Sequence, residues 1–282
     1  LVGFSTPVFA WWSFSSSKFH LSTTRQQGEA MLIAGMLSTF PAIIINSFIT
    51  PGAVLFLSGG EASATLVENI TVIISAPVGE ELCKALAVFS LASMIDSKKR
   101  GFQVGFTVGL GFALLENLQY ILFSLFAGEV MAFSYGLTSV VRGIGSIPGH
   151  AMWTACSGYA IGHILEQRKQ PNQIPDVKQW NLINPRDHSR GYNVPNAQQF
   201  MSQSMFSKSS NLDLPTSLPA MLGIAMFGHA FWNGSSVLMS TLSRGLNPVV
   251  GLIAELVWIV VLIGLLWVVG RFVIAAAMEE GN

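Results

Sequence analysis

Long apolar runs alternate with short polar segments along most of the 282-residue chain. The apolar runs cover residues 1–14, 29–57, 62–95, 102–127, 147–165, 215–242 and 249–274. A helix that crosses a bilayer needs about 20 consecutive, mostly apolar residues. The pattern predicts an all-α fold, a polytopic transmembrane helix bundle of about seven spans that forms a single integral membrane domain over residues 1–282. Because residue 1 is not Met and lies in an apolar stretch, we expect the first helix to begin before it.

Two stretches interrupt this pattern. The run Gly143–Gly149 contains three glycines and Pro148 and predicts a break between helices. Residues 128–142 are then expected to form an interfacial helix that does not cross the membrane. His150 is expected to open the next span, a few residues from the outer face. Residues 166–214 are polar and contain little that could form a core, so they predict a long, mostly irregular cytoplasmic loop inserted between two spans.

Basic residues indicate the orientation of the bundle. Lys98-Lys99-Arg100 is the clearest cytoplasmic marker. If seven spans cross the membrane, Lys18, Arg25 and the basic insert lie on the cytoplasmic side as well. We therefore expect a multi-pass cell-membrane protein with its N-terminus outside and its C-terminus in the cytoplasm. The chain is 51% hydrophobic and 11% charged with zero net charge, and it has no basic arm, which argues against nucleic acid as a partner.

The apolar run 62–95 contains three ionisable residues, Glu80, Glu81 and Lys84. An acid or a lysine at the centre of a membrane helix costs about 2.5–3.5 kcal/mol even on insertion-based scales. On a helix Glu80 and Lys84 are i, i+4 neighbours and are expected to pair, whereas Glu81 projects about 100° away. Glu81 is therefore expected to find its partner on another helix.

Three further spans carry polar side chains. Glu116 and Tyr120 form an i, i+4 pair that brackets Asn117, and His229 forms another with Asn233. His150 is followed within one turn by Trp153 and Thr154. Lipid offers such groups no partners, so we expect them to converge inside the bundle in one water-accessible pocket.

The chemistry of such a pocket is limited to a few kinds. A carboxylate with an imidazole can activate water as a general base or hold a metal that does so. Two Glu and two His are a plausible zinc ligand set, and an Asn beside a His can stabilise an oxyanion. The sequence has no Gly-x-Ser-x-Gly elbow, His-Glu-x-x-His motif or paired Asp motif, which disfavours serine, zincin and aspartyl hydrolases.

These motifs resemble the PrsW family of intramembrane proteases, which is related to the CAAX prenyl proteases and the bacteriocin-processing enzymes. The resemblance rests on four motifs in order over about residues 70–240: Glu80-Glu81-x-x-Lys84, Glu116-Asn117-x-x-Tyr120, His150 and His229-x-x-x-Asn233. Two features depart from the family pattern: Leu115 stands where Phe is usual, and the insert 166–214 is not expected.

The resemblance implies an intramembrane peptidase that cuts a membrane-anchored protein in or near its transmembrane segment, such as an anti-sigma factor. The implied catalytic residues are Glu80, Glu81, Glu116, His150, His229 and Asn233, supported by Lys84, Asn117 and Tyr120. Relatives are described both as metalloproteases and as metal-free glutamate proteases. A Zn²⁺ ion held by some of Glu80, Glu81, Glu116, His150 and His229 and a metal-free centre therefore both stay open.

Two other functions fit the same residues. Intramembrane acids and histidines also form proton relays, so a proton- or cation-coupled transporter is the alternative, and an inactive scaffold of the same fold is a third. The doubled acid and the Asn at His+4 favour hydrolysis, whereas transporters often show inverted repeats. Glu255 in the last span is expected to be structural, and Gly101, Gly105 and Gly109, spaced by four, predict a face of close helix packing.

Overall fold

The computed structural model describes residues 5–19, 21–126, 128–169 and 213–279. The α-helices are α1 (Ser5–Lys18), α2 (Arg25–Ile44), α3 (Thr50–Leu57), α4 (Ala64–Ile70), α5 (Ala76–Ser90), α6 (Lys98–Ser124), α7 (Met131–Val141), α8 (Ile147–Lys169), α9 (Leu218–Ser243) and α10 (Pro248–Glu279). These ranges contain no β-strand, which confirms the all-α prediction. Among the described residues, three helices are long and apolar enough to cross a membrane: Arg25–Leu57, Lys98–Ser124 and Pro248–Met278. The total of seven spans stays a prediction.

Within the described ranges, three π-helical turns join consecutive α-helices into longer rods. Ile45–Ile49 joins α2 to α3, Thr71–Ser75 joins α4 to α5, and Arg142–Ser146 joins α7 to α8. A proline follows each turn two residues later, at Pro51, Pro77 and Pro148. Proline has no N–H and its ring clashes with the carbonyl four residues earlier. The wider π turn relieves that clash, so the chain stays helical where a break is the simpler expectation.

The break predicted at Gly143–Gly149 is therefore wrong. Residues 131–169 are continuously helical, and His150 lies nineteen residues from Met131 and nineteen from Lys169. The expectation that His150 opens a span is wrong for the same reason, whereas its distance from the outer face stays a prediction. The π turn exposes backbone oxygens, and two tryptophans bind them: Trp11 Nε1 donates to Gly143 O at 3.1 Å and Trp267 Nε1 to Ile144 O at 2.9 Å.

Helix α6 lies at the centre of the bundle and packs most extensively against α8. A Cβ atom added at Gly101, Gly105 or Gly109 would collide with the backbone of α8. This confirms the predicted glycine face, and Gly158 and Gly162 of α8 complete it from the other side. The glycines hold α6 and α8 at a distance that brings polar side chains on both helices within hydrogen-bonding reach.

Several hydrogen bonds hold one end of the bundle together. Gln103 Nε2 of α6 donates to Leu21 O at 3.1 Å, just before α2 begins. At the same end Lys169 Nζ, in the last turn of α8, donates to Ile95 O at 2.7 Å. Residues 166–169 of the predicted loop are thus part of α8, and residues 170–212 lie outside the described residues. The start of α2, the start of α6 and the end of α8 consequently lie at the same end of the bundle, the end that carries Lys98–Arg100.

Candidate active site

Helix α5 brings Glu80, Glu81 and Lys84 into the interior, where Glu81 and Lys84 are fully buried and Glu80 is 5% exposed. The Lys84 ammonium lies 2.8 Å from Glu81 Oε1 and 3.5 Å from Glu80 Oε2. Lys84 therefore pairs with both acids and more closely with Glu81, whereas the sequence predicted Glu80 as its partner. Both i, i+3 and i, i+4 residues lie on the same side of a helix, which accounts for the difference.

Helix α9 supplies the partner from another helix that was expected for Glu81. His229 Nδ1 lies 3.1 Å from Glu81 Oε1. Because an ionised carboxylate only accepts hydrogen bonds, Nδ1 carries the proton in a neutral His229 and Nε2 keeps its lone pair. Nε2 faces Glu80 Oε2 at 3.9 Å. The Trp153 ring of α8 stacks on His229, with 4.6 Å between ring centroids, and so holds the imidazole plane.

Helix α8 places His150 between the two halves of the site. Its Nδ1 lies 2.7 Å from Lys84 Nζ, and its Nε2 lies 2.9 Å from Glu116 Oε2 of α6. Lys84 as an ammonium only donates, so Nδ1 accepts and Nε2–H donates to Glu116. The His150 and His229 rings are 5.0 Å apart. Five of the predicted site residues, together with Lys84, thus form one connected network, which is buried except at the partly exposed Glu116: Glu80, Glu81, Glu116, His150 and His229.

Arg142 is a site residue that the sequence did not single out. It lies in the π turn before α8, where its guanidinium binds Glu116 through Nη2 and Asn117 through Nε. The same guanidinium lies 3.9 Å from the centroid of the Tyr120 ring. Arg142 therefore contacts all three polar residues of the second motif. The available signal was an arginine within an otherwise apolar stretch, but the expected helix break placed it at the interface.

The other two π turns also contact the site. Asn233 Nδ2 donates to Val72 O at 3.0 Å. In the π turn each N–H bonds the carbonyl five residues earlier, as Ala76 N–H bonds Thr71 O. The next donor would be residue 77, but proline has no N–H, so Val72 O lacks its helical partner. Asn46 of the first turn donates from Nδ2 to Glu80 Oε1 at 3.2 Å. Asn46 is the second residue that the sequence analysis missed, since a lone Asn in an apolar run carries no motif.

The residues present fit a divalent metal ion. Ligand atoms of Glu80, His150 and His229 lie within 4.8 Å of one another. Glu80 Oε2 is buried without a hydrogen-bond partner among the described residues, and His229 Nε2 offers a lone pair beside it. Carboxylate and imidazole are common zinc ligands, and His₂Glu is a known catalytic set. His150 can join only after Nε2 leaves Glu116 or Nδ1 leaves Lys84, so Glu80 and His229 are the readier ligands.

The network also carries an excess of acid. Glu80, Glu81 and Glu116 supply three carboxylates against two cations, Lys84 and Arg142. With both histidines neutral, these described residues leave one net negative charge at the centre. A buried negative charge favours a bound cation or a proton at this point.

A family model described as PrsW family intramembrane metalloprotease matches residues 28–185, which is more than half of the chain. The match contains Glu80, Glu81, Glu116 and His150, whereas His229 and Asn233 lie beyond it. No curated protein and no solved structure matches the chain significantly. With its acid doublet, Glu116 and His150 inside the match and joined in one connected network, the chain belongs to the PrsW family of intramembrane metalloproteases.

Proposed function

We propose that this protein hydrolyses a peptide bond in or beside the transmembrane segment of a membrane-anchored protein. The observation that carries the proposal is the buried group of Glu80, His150 and His229, whose ligand atoms lie within 4.8 Å of one another. Such a group pairs a carboxylate, which can take a proton from water, with imidazoles that can hold a metal or carry protons.

The two adjacent acids have different tasks in this proposal. Glu80 is the base or metal ligand, because it is the acid of the doublet that offers a ligand atom within 4.8 Å of ligand atoms of both His150 and His229. Glu81 is a positioning residue, because its Oε1 is bound by both Lys84 and His229. A carboxylate on the far nitrogen of a ligating histidine sets the tautomer and the ring orientation.

The reaction follows from these assignments. Glu80 takes a proton from a water molecule whose oxygen attacks the carbonyl carbon of the scissile peptide bond. The C–N bond then breaks, and the proton passes to the leaving nitrogen. A bound Zn²⁺ ion would supply Lewis acidity and lower the pKa of the water it binds. An amide nitrogen carries two hydrogens, so Asn233 can donate one to Val72 O and keep the other for the oxyanion.

His150 and Glu116 are proposed to hold and move protons beside the reacting centre. His150 connects the Lys84–Glu81 pair to Glu116 through its two ring nitrogens. A neutral imidazole that accepts on one nitrogen and donates on the other can pass a proton without leaving its place. Tyr120 contributes its ring to the guanidinium of Arg142.

The substrate we propose is a single-pass protein such as a membrane-anchored anti-sigma factor. This choice follows from the resemblance of the four motifs to those of the PrsW family. The end of the bundle with Lys98–Arg100 is then cytoplasmic, the N-terminus is outside and the C-terminus is inside. The short contacts of residues 21–23 with Arg100 and Gln103 support a common side for these basic segments.

The test uses the full chain in proteoliposomes with a panel of fluorogenic single-pass reporters that differ in the segment next to the membrane. We expect cleavage of at least one reporter, and loss of that cleavage in Glu80→Gln and His229→Asn. Glu255→Gln is the matched control, because Glu255 of α10 accepts from Ser243 and lies outside the network. Cleavage that persists in Glu80→Gln, or no cleavage of any reporter, would contradict a peptidase centred on Glu80.

A further inference from the structure

A cleft opens between the rod formed by α2 and α3 and the rod formed by α4 and α5, and Asn46 lines it. Its volume is about 490 Å³, and its walls include Asn46, Leu55, Ala62, Glu68 and Val72. Binding pockets in proteins span about 300–1,000 Å³, so the cleft is large enough for a short peptide segment. It lies near the Ser58–Ala62 connection, which is at the opposite end of these rods from Lys98–Arg100.

Asn46 connects this cleft to the catalytic acid. Its Nδ2 donates to Glu80 Oε1 at 3.2 Å. The Glu80 carboxylate accepts hydrogen bonds, so the amide nitrogen of Asn46 must face it, and this settles which end of the amide is the oxygen. That oxygen, Oδ1, is buried and finds no hydrogen-bond partner within the described ranges. Buried polar atoms in native proteins are nearly always satisfied, so an unpaired acceptor next to the active site needs a partner.

A substrate of an intramembrane protease has the complementary need. The peptide bond to be cut must leave its helix, and unwinding frees backbone N–H groups that lipid cannot bind. Irregular backbone at membrane depth is tolerated only where protein supplies the missing hydrogen bonds. An unpaired acceptor on Asn46, which lines the cleft and donates to Glu80, meets this requirement for one N–H.

We propose that Asn46 is a substrate-binding residue that accepts a hydrogen bond from a backbone N–H of the unwound substrate segment in this cleft. The same side chain holds Glu80 through Nδ2, so one amide couples substrate binding to the position of the base. This inference rests on the proposed peptidase function. It identifies the occupant of the cleft as an unwound peptide next to the scissile bond.

The experiment is a scan of single amide-to-ester replacements in a synthetic version of a reporter that the wild-type protein cleaves. An ester lacks the N–H donor and leaves the rest of the backbone nearly unchanged. In the wild type we expect one ester near the scissile bond to raise KM roughly fivefold, the range of one lost hydrogen bond. In Asn46→Leu, which has lost the acceptor, the same ester should have no effect relative to the all-amide substrate.

Asn69→Leu is the matched control, because it removes an amide from α4 without touching the cleft wall or Glu80. It should keep the wild-type sensitivity to the ester. Asn46→Ser replaces Asn46→Leu in the experiment if the latter does not give a monodisperse protein. A serine hydroxyl is too short to reach both Glu80 and the substrate N–H. It should likewise lose the sensitivity. The kcat of both Asn46 variants also falls, because Glu80 loses its donor.

The two hypotheses fail in different ways. If the wild type cleaves and Glu80→Gln does not, but the ester effect is the same in the wild type and in the Asn46 variants, the role of Asn46 is wrong and the peptidase stands. A wild type without any sensitive ester position contradicts the role of Asn46 as well. If the wild type cleaves nothing, or Glu80→Gln cleaves as well, the peptidase proposal falls and this inference falls with it.

Discussion

His229 Nδ1 lies 3.1 Å from Glu81 Oε1, and this hydrogen bond joins the last predicted motif to the first across 148 residues of chain. It leaves the lone pair of Nε2 on the side of Glu80. Neighbouring residues on a helix project about 100° apart, so Glu80 and Glu81 approach different nitrogens of the same imidazole although they are adjacent in sequence. This arrangement is the basis of the separate roles that we propose for the two acids.

The first prediction concerns these two roles. Glu80→Gln should abolish cleavage of a membrane-anchored reporter, because Gln cannot take a proton from water. Glu81→Gln should lower kcat/KM by roughly 10–100-fold, the range seen when the outer partner of a ligating histidine is lost. Kinetic measurements in proteoliposomes check both values. Equal losses in the two variants would contradict the division of labour.

The second prediction concerns the buried cation. Lys84→Met leaves Glu80 and Glu81 without their ammonium partner in a fully buried place. Removing one member of a buried ion pair typically destabilises a protein by about 3–5 kcal/mol. We expect a clearly lower unfolding temperature in detergent, and partial recovery in Lys84→Met with Glu81→Gln, where one uncompensated charge is gone. A double variant that is no more stable than Lys84→Met would show that Glu81 does not pair with Lys84.

The third prediction concerns Arg142. Its guanidinium binds Glu116 and Asn117 at once and lies over Tyr120, which a lysine ammonium cannot reproduce. Arg142→Lys should therefore lower kcat by roughly 10–100-fold while KM changes little, since Glu116 and His150 are displaced rather than the substrate.

The control for Arg142 is Arg244→Lys, an exposed arginine at the end of α9 that should behave like the wild type. A rise in KM with unchanged kcat in Arg142→Lys would indicate substrate binding instead of positioning.

The fourth prediction concerns metal. Dialysis against a zinc chelator should remove activity, and added Zn²⁺ should restore it, if Glu80 and His229 hold the ion. Elemental analysis of purified protein should find about one ion per chain in the wild type and much less in His229→Asn, independently of activity. Full activity in a demonstrably metal-free sample would favour the metal-free glutamate mechanism.

The fifth prediction concerns the contact between α6 and α8. A Cβ atom at Gly105 would meet the backbone at Thr154 and Ala155. Gly105→Ala should thus destabilise the protein by about 1–3 kcal/mol, although alanine favours helix formation. Gly223→Ala in α9 is the matched control, because nothing lies within 4 Å of its added Cβ. A thermal unfolding series compares the two, and equal unfolding temperatures would contradict the close approach.

The sequence predicted the network well because burying charge in lipid is costly. Glu80, Glu81, Glu116, His150 and His229 are recognisable as polar interruptions of apolar runs, and physical necessity brings such groups together. Lys84 was also predicted at the centre, but not its preference for Glu81 over Glu80. The difference between the i+3 and i+4 partners depends on side-chain torsions that the spacing does not determine.

The residues that were missed share a structural setting. Arg142 and Asn46 lie in π turns, where one extra residue per turn changes the helix face that each side chain occupies. A strict 3.6-residue period misplaces them, and the prolines that follow suggest a break. The match to the PrsW model ends at residue 185, so it leaves His229 and Asn233 to be argued from geometry.

The prolines at 51, 77 and 148 also constrain how this chain can vary in length. Each π turn absorbs one residue, so deleting a single position there would restore an ordinary helix and turn everything on one side of it by about 100°. Asn46, Val72 and Arg142 would then rotate away from the centre, although none of these three residues is itself changed. Alignments with distant relatives should therefore contain a one-residue gap before some of these prolines. A relative that lacks both the proline and the extra residue should form its catalytic centre from different side chains.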